Sequence, residues 1–377
     1  MEFLLDSDVI YLNHGSFGAT PKVVFETYQR FQRELERDPV RFLQREMPDM
    51  LAESRTRLGE FIGCAAKDIV LVANPTFATN TVARSLKLSF GDEVLTSNHE
   101  YGACRRAWHF VSEKRGFRIV EHEISLPVGP LDQLIEDFWS AVTPRTKVIF
   151  LSHITSPTAL QLPVEAICER ARAAGILTVI DGAHVPGQRP LDLSQVGADF
   201  YMGACHKWLC APKGASFFYA HPDVQAMIEP LIIGWGWGPD RQFDSGNEFQ
   251  DSHFWLGTRD LAAYLSIPAA IDFQKQHDWP AIQQRCHQMA LDFLKRASEI
   301  TGIEPVHRSE LFHQMALLET PQIVDAKQTQ RRLYDEYRIE VPIVPWGDRT
   351  FIRVSVQAYN SSADLDALVS AVADLVR

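Results

Sequence analysis

The stretch VIDGAHVPGQRPLDLSQVGADFYMGACHKWLCAPKGASFFYA, residues 179–220, carries the pattern that decides the fold. It opens in an apolar run that ends at Asp181, and a second apolar run ends shortly before Lys207. A turn of small residues, PKGA, then leads into another apolar run. Short runs of this kind are typical of a wound α/β sheet, in which functional side chains follow the carboxyl ends of parallel strands. Asp181 and Lys207 both stand at such positions.

The same alternation extends toward the N-terminus from this stretch. Short runs rich in β-branched residues predict strands at residues 69–72, 93–96, 117–121, 147–151, 176–180 and 200–203. Helix-length segments lie between these runs, at residues 79–88 and 163–174; the second begins at a proline and is followed by a glycine. The pattern predicts an α/β domain with a mostly parallel sheet.

The pattern changes at about residue 258. Two long amphipathic helices are predicted there, at residues 259–276 and 279–301. Isolated strands and further helices follow, the strands at 315–319, 340–344 and 351–356, and the helices at 324–337 and 363–376. We therefore predict a large domain over residues 16–257 and a smaller α+β domain made of residues 1–15 and 258–377.

Composition restricts the class of protein. The 377 residues are 46% hydrophobic and 23% charged, which suits a compact fold long enough for two domains. The formal net charge of −11 disfavours nucleic acid or an anionic membrane as a partner. We expect no signal peptide and no membrane span, because the opening residues MEFLLDSDVI are acidic and no apolar run is long enough. The six cysteines are scattered, which predicts reduced thiols in the cytoplasm and no metal site.

Asp181 and Lys207 are the two side chains that a pyridoxal 5'-phosphate (PLP) enzyme needs. A lysine amine condenses with the cofactor's aldehyde, and a carboxylate keeps the pyridine nitrogen protonated so that the ring withdraws electrons. Taken alone, the lysine has the ordinary explanation of a solvated surface residue, and the aspartate that of a helix cap. The combination of D-x-A-H, a short crossover, H-K-W and the PKGA turn favours PLP chemistry.

Seven segments resemble the class V aminotransferase family, whose members are fold type I PLP enzymes. The family includes cysteine desulfurases, selenocysteine lyases, kynureninases and isopenicillin N epimerases. In chain order the segments are YLNHGSFGATP (11–21), NHEYGACRRAW (98–108), SHITSPTALQLPV (152–164), DGAHVPGQ (181–188), CHKWLCAPKG (205–214), FWLGTRD (254–260) and IRVSVQAYN (352–360). They resemble the epimerase-like branch and span nearly the whole chain. The resemblance implies a fold type I PLP-dependent transferase with PLP as the cofactor.

The resemblance also implies roles in holding the cofactor. Lys207 corresponds to the lysine that forms the Schiff base, and Asp181 to the partner of the pyridine nitrogen. The segment ANPTFATN (73–80) resembles the phosphate loop, so Thr76 and the backbone of Phe77 are expected to receive phosphate at a helix N-terminus. A plain helix cap at Thr76 is a compatible alternative.

Further cofactor contacts follow from the same resemblance. His206 corresponds to a phosphate ligand, with a structural histidine as the alternative, and His184 and Ser156 correspond to residues that touch the phenolic oxygen. Many members of the family carry a phosphate-binding serine where this chain has Ala204, so another donor must replace it. Thr258 in the GTRD segment resembles a threonine that reaches the phosphate of the neighbouring subunit, which implies a homodimer.

Substrate contacts are expected on other segments. Arg353 resembles the arginine that binds the substrate α-carboxylate, a role that suits the guanidinium fork. His14 lies in the opening NHGS segment, which is expected near the substrate. Tyr101 stands where desulfurases place a histidine over the ring; it either only stacks or also acts as an acid or base. Trp235 and Trp237, in the predicted long loop at 232–240, either line the substrate mouth or anchor that loop.

The sequence restricts the reaction without fixing it. A persulfide-forming desulfurase needs a cysteine shortly before the carboxylate-binding arginine, and the segment YRIEVPIVPWGDRTF (337–351) contains none. Cβ–S lysis, epimerisation and transamination of an amino-acid substrate remain, with lysis slightly favoured over epimerisation. A non-catalytic PLP-fold binding protein is disfavoured by the presence of Lys207, Asp181 and Arg353. An NAD enzyme is disfavoured because no G-x-G-x-x-G segment opens a helix after a strand.

Overall fold

A seven-stranded sheet forms the centre of the computed structural model, which describes residues 2–321, 323 and 325–375. After a short first strand β1 (Ile10–Tyr11), the sheet strands are β2 (Ile69–Val72), β3 (Glu93–Ser97), β4 (Arg118–His122), β5 (Thr146–Ser152), β6 (Leu177–Asp181), β7 (Phe200–Ala204) and β8 (Ser216–Ala220). Their spatial order is β2-β8-β7-β6-β5-β3-β4. Neighbours from β7 to β4 are parallel, whereas β8 runs antiparallel to both β7 and β2.

Helices surround this sheet and continue into the C-terminal part. They are α1 (His14–Phe17), α2 (Lys22–Arg37), α3 (Met47–Ile62), α4 (Pro75–Ser85), α5 (Gly102–Arg115), α6 (Leu131–Trp139), α7 (Val164–Ala173), α8 (Leu193–Val196), α9 (Glu248–Phe254), α10 (Ala262–Leu265), α11 (Ile267–Gln276), α12 (Trp279–Thr301), α13 (Ala326–Tyr337) and α14 (Ser362–Leu375). One π-helical segment, Arg41–Glu46, lies between α2 and α3. Every residue of β2, β3, β7 and β8 is buried; β2, β7 and β8 are mostly apolar, whereas β3 also buries Glu93, Thr96 and Ser97.

The C-terminal part contains two small sheets. Strands β9 (Met315–Glu319), β11 (Ile343–Trp346) and β12 (Arg349–Ser355) form an antiparallel sheet in the order β11-β12-β9. Strand β10 (Ile339–Glu340) pairs in parallel with β1, so the first residues of the chain join its C-terminal part. The division into domains at residues 16–257 stays a prediction.

The predicted α/β fold with a mostly parallel sheet is confirmed, and the six predicted strands of the large sheet lie within one residue of the observed ones. Helix α12 and strand β9 have the predicted bounds. The helix predicted at 79–88 is wrong at both ends, since α4 spans Pro75–Ser85. It begins earlier than predicted because the side chain of Asn74 caps the first turn and Pro75 occupies its first position. The strand predicted at 340–344 is split between β10 and β11.

The single helix predicted at 259–276 is two helices, α10 and α11. Pro268 at the start of α11 has no amide hydrogen, so it cannot continue the preceding hydrogen-bond ladder. The helix ends predicted at Val324 and Val376 lie outside the described residues. Within the described part of the chain, no helix is long and apolar enough to cross a membrane.

Candidate active site

A cavity of about 580 Å³ lies where the central strands end. Strand β5 contributes its last residue, Ser152, and β6 contributes Asp181, while His206 and Lys207 follow β7 directly. The wall is completed by residues from the start of α4, from the N-cap of α5 and from β12: Asn74, Pro75, Thr76, Tyr101 and Arg353. The carboxyl edge of a parallel sheet is the usual place for a ligand in such folds, and here it gathers most of the predicted site residues.

Asp181 and Lys207 line the same cavity. Asp181 is 3% exposed; its Oδ1 accepts the Ala183 amide at 3.0 Å, and its Oδ2 accepts the Cys104 thiol at 3.5 Å. Burial raises the pKa of Asp181, against the opposing effect of the Ala183 bond and the Lys207 charge. Burial lowers the pKa of Lys207 to about 8, although the Asp181 charge acts in the other direction. The amine therefore becomes neutral at far lower pH than an exposed lysine does.

His184 links the lysine to the buried core. Its Nε2 lies 3.1 Å from Lys207 Nζ, and its Nδ1 accepts the indole N–H of Trp208 at 3.2 Å. Burial holds the pKa of His184 well below its usual range, and the charge of Lys207 adds to this effect. The imidazole is thus a neutral group fixed at both ring nitrogens.

The N-terminus of α4 forms the predicted phosphate end of the cavity. Thr76 lines the cavity, but the Phe77 amide donates to Asn74 Oδ1 at 2.9 Å and Phe77 itself lines a neighbouring cavity. The Phe77 amide is therefore already bonded to Asn74, and its phosphate contact stays a prediction. The sequence reasoning missed Asn74, which its N-cap position before Pro75 could have indicated. Its side-chain amide is a candidate for the donor that Ala204 lacks.

His206 lines the same cavity. Its Nδ1 donates to the carbonyl of Ala215 at 3.1 Å, which leaves Nε2 for a ligand in the cavity. Burial, together with the neighbouring Lys207 charge, lowers the pKa of His206 to about 4. An anion bound here would oppose both effects.

Arg353 is 5% exposed and is anchored by two serines. One terminal nitrogen donates to the carbonyl of Ser156 and to its hydroxyl at 3.3 Å, and the other donates to the hydroxyl of Ser16 at 2.9 Å. The Nε atom has no partner among the described residues. Burial lowers the pKa of Arg353 to about 10, still high enough for a full positive charge at neutral pH. Ser156 thus contacts the predicted substrate arginine, and Ser16 is a site residue that the sequence reasoning missed.

Two aromatic rings lie at the mouth of the cavity. Tyr101 is 45% exposed and Phe17 is 67% exposed, and both line the cavity. Beside Tyr101 in the chain, Glu100 is buried and accepts the hydroxyls of Ser97 and Ser152, each at 2.6 Å. Burial raises the pKa of Glu100 to about 8. Glu100 could not be found from the sequence, because its hydroxyl partners Ser97 and Ser152 lie on different strands.

Four other predicted residues do not line this cavity. His14 is fully buried, and its ring nitrogens contact the Tyr359 hydroxyl and the Lys207 carbonyl, both at 3.1 Å. It contacts the backbone of Lys207 and does not line the cavity, so its substrate-binding role stays a prediction. Trp235 and Trp237 are exposed on the loop before α9, away from the cavity lining. Thr258 is exposed and also lies outside the lining of its own chain's cavity.

His99, two residues before Tyr101 in the chain, also does not line the cavity. It is fully buried, and its two ring nitrogens contact the Thr158 hydroxyl at 2.6 Å and the Ile124 carbonyl at 2.7 Å. Its ring packs on Trp346 at 4.6 Å between centroids. These contacts make it a structural histidine.

The groups around the cavity fit PLP. Lys207 offers an amine with a lowered pKa, Asp181 a buried carboxylate, and the 11-residue helix α4 an N-terminus suited to phosphate. Gly182, next to Asp181, has no room for a side chain, because a Cβ atom would lie 2.1 Å from the ring of Tyr201. The fold and the site together define a fold type I PLP enzyme.

Comparison with known proteins gives the family. Residues 10–368 match the sequence model of the Aminotransferase class-V family, and the chain belongs to this family of PLP-dependent enzymes. PLP is therefore its cofactor, as the sequence predicted.

The relatives and the solved structure described next align with nearly the whole of this chain. The chain is 35% identical to an isopenicillin N epimerase of Amycolatopsis lactamdurans, over 98% of this chain and 96% of that protein. It is 27% identical to a putative L-cysteine desulfhydrase of Oryza sativa subsp. japonica, over 98% and 84%. A cystine C–S lyase, solved with its product cysteine persulfide, superposes with a TM-score of 0.86 at 21% identity, covering 98% of each chain. The last likeness concerns the fold alone.

Proposed function

We propose that the protein is an epimerase: one group removes the Cα proton of an amino acid, and a second group delivers a proton to the opposite face of Cα. The observation that carries this proposal is that Lys207 and Tyr101, two groups able to transfer a proton, line one cavity with Arg353. The 35% identity to an isopenicillin N epimerase supports this reading over lysis, which the sequence alone slightly favoured.

Arg353 would bind the substrate through its α-carboxylate. Arg353 lines the cavity with a largely buried positive charge, so a bound carboxylate would neutralise a charge that no carboxylate of the described residues pairs with. The contacts from Ser16 and Ser156 hold the guanidinium in one orientation before the substrate arrives. This fixed clamp would place Cα within the cavity.

Lys207 and Tyr101 would then divide the proton transfer. Bound PLP withdraws electrons from Cα and so makes its proton acidic, with Asp181 holding the pyridine nitrogen protonated. The neutral amine of Lys207 is the base that takes this proton, and its lowered pKa provides that form. The hydroxyl of Tyr101, at the exposed side of the cavity, would return a proton to the other face.

Cβ–S lysis of a cysteine derivative is the second candidate. It requires the same base and a leaving group that departs without a cysteine nucleophile, and the relative named L-cysteine desulfhydrase supports it. No cysteine lines the cavity, and the nearby Cys104 is fully buried with its thiol bonded to Asp181. Persulfide formation on the protein is therefore disfavoured, because another residue type cannot hold the sulfur.

We further propose a cytoplasmic homodimer in which Thr258 reaches the phosphate of the partner subunit's cofactor. Thr258 is exposed in the single chain and lies in the GTRD segment between α9 and α10. Sedimentation should give a dimer, and Thr258→Ala should weaken PLP binding without changing the fold. A monomer with full cofactor affinity would contradict this arrangement.

The decisive experiment uses the PLP-loaded enzyme in deuterated water with a panel of L-amino acids and cysteine conjugates. Epimerisation gives inverted product with deuterium at Cα, whereas lysis gives pyruvate and ammonia. Formation of a keto acid with the pyridoxamine form of the cofactor would instead identify an aminotransferase. If every substrate is recovered unchanged and without deuterium at Cα, the protein is a non-catalytic PLP-fold binding protein.

A further inference from the structure

Trp208, His184 and Lys207 form a chain of hydrogen bonds. The indole Nε1 of Trp208 lies 3.2 Å from His184 Nδ1, and His184 Nε2 lies 3.1 Å from Lys207 Nζ. Trp208 is fully buried, His184 is 2% exposed, and Lys207 opens to the cavity. The chain therefore runs from the hydrophobic core to the reactive amine.

The direction of these hydrogen bonds is fixed by chemistry. An indole N–H can only donate, so His184 Nδ1 must accept and carries no proton. A neutral imidazole has one proton, which must then be on Nε2. Nε2–H donates toward Lys207 Nζ, so Nζ must offer its lone pair. Only an uncharged amine has a lone pair.

The alternative protonation states are disfavoured by the same geometry. A charged Lys207 would donate to Nε2, which moves the imidazole proton to Nδ1 and sets it against the indole N–H of Trp208. A doubly protonated His184 meets the same conflict at Nδ1. Burial and the nearby cation also oppose a charge on His184, since they lower its pKa.

We propose that Trp208 is a positioning residue that holds His184 in its Nε2–H tautomer and thereby favours the neutral, nucleophilic form of the Lys207 amine. The indole acts through His184 and does not touch the cavity. The consequence is the same for epimerisation and for C–S lysis, because both use Lys207 as an uncharged amine. The proposal rests on the PLP site and not on the choice between those reactions.

Other charges around these two side chains act in addition to the indole. Asp181 favours the charged form of Lys207, and Arg353 opposes it. His184 faces Lys207, Arg353, His206 and His14, all of which disfavour its protonation. Of these groups only Lys207 contacts a ring nitrogen of His184 directly, and it can donate or accept there, whereas the Trp208 indole can only donate to Nδ1.

The test compares Trp208→Phe with Trp279→Phe in the cofactor-free protein. Both indoles are buried and donate one N–H bond, but the Trp279 bond goes to the carbonyl of Gly187 at 2.8 Å, which also accepts from Gln283. Competitive acetylation across a pH series, read by mass spectrometry of the peptide containing Lys207, gives the pKa of its amine. Losing the bond should raise that pKa by about one unit in Trp208→Phe, and Trp279→Phe should match the wild type.

A double variant separates positioning from packing. In a His184→Asn background, Trp208→Phe should no longer change the pKa of Lys207, because the linking imidazole is absent. An unchanged Lys207 pKa in folded Trp208→Phe, or the same shift with and without His184, would overturn the proposal.

A measurement on the wild type keeps the test decisive even if Trp208→Phe does not fold. The protein has 13 histidines, and ¹⁵N labelling of their side chains with His184→Asn as the assignment control identifies the His184 signal. We expect the Nε2–H tautomer over the neutral pH range in the cofactor-free protein. An Nδ1–H tautomer would refute the proposal independently of any turnover assay.

Discussion

Replacing Arg353 with lysine tests the proposed carboxylate clamp most directly. The substitution keeps a positive charge on β12 but removes the planar fork. In the structure the two terminal nitrogens of Arg353 contact Ser156 and Ser16, and Nε has no partner. A lysine presents one ammonium group in place of the planar fork, so we expect the loss of one charge-assisted hydrogen bond to the substrate.

The expected size follows from that single bond. A hydrogen bond to a charged group contributes about 1.5–3 kcal/mol, which corresponds to a roughly 10- to 100-fold weaker binding of carboxylate ligands. The loss should be visible mainly as a higher KM, because the clamp acts on the bound substrate as well as on the transition state. Steady-state kinetics with an active amino acid would give KM and kcat separately.

Two controls make the result specific. Arg349→Lys changes an arginine on the same strand whose Nε instead bonds Glu319 at 2.8 Å, so its KM should equal that of the wild type. The decarboxylated amine of the same substrate should bind Arg353→Lys and the wild type equally well. A KM within twofold of the wild type, or an equal loss for the amine, would refute the clamp.

Three further variants test the remaining roles. Lys207→Ala should fold but retain no phosphopyridoxyl group after borohydride reduction and denaturation; a retained adduct would place the attachment elsewhere. Tyr101→Phe should keep PLP bound but slow epimerisation about 10²–10⁴-fold while Cα exchange with retention continues; unchanged rates would leave a stacking role only. Burial raises the pKa of Glu100 to about 8 from an ordinary value of 4.5, so the folded state loses stability relative to Glu100→Gln as pH rises between these values. As pH rises across that range, the Tm of the wild type should fall relative to that of Glu100→Gln. A difference in Tm that does not change with pH would contradict the raised pKa of Glu100.

Strands such as β2 and β7 could be predicted from local pattern because every residue in them is buried. Runs such as Ile69–Val72 are apolar at every position, and both faces are covered in the fold. The starts of the helices were harder to predict from the sequence, because each depends on one or two capping residues. Helix α4 begins at Pro75 because Asn74 caps it, and the helix expected at 259–276 is interrupted at Pro268.

The amino-acid sequence by itself determined the chemistry of the site. Asp181 and Lys207 follow strands whose apolar runs are readable in the chain, and parallel strands bring their ends to one edge. Their residue types then indicate PLP, since few other cofactors need both an amine and a carboxylate at that edge.

Only the tertiary structure decided which side chains support those groups. Arg353 meets Ser16 across 337 positions of sequence, and Lys207 meets His14 across 193. The pattern of residues within one segment indicates which of its side chains are buried and which way they face. A hydrogen bond, however, joins two groups that lie within about 3 Å, and only the packing of distant segments decides which groups these are. For that reason the sequence alone did not show that His14 contacts the Lys207 carbonyl or that Trp208 bonds to His184.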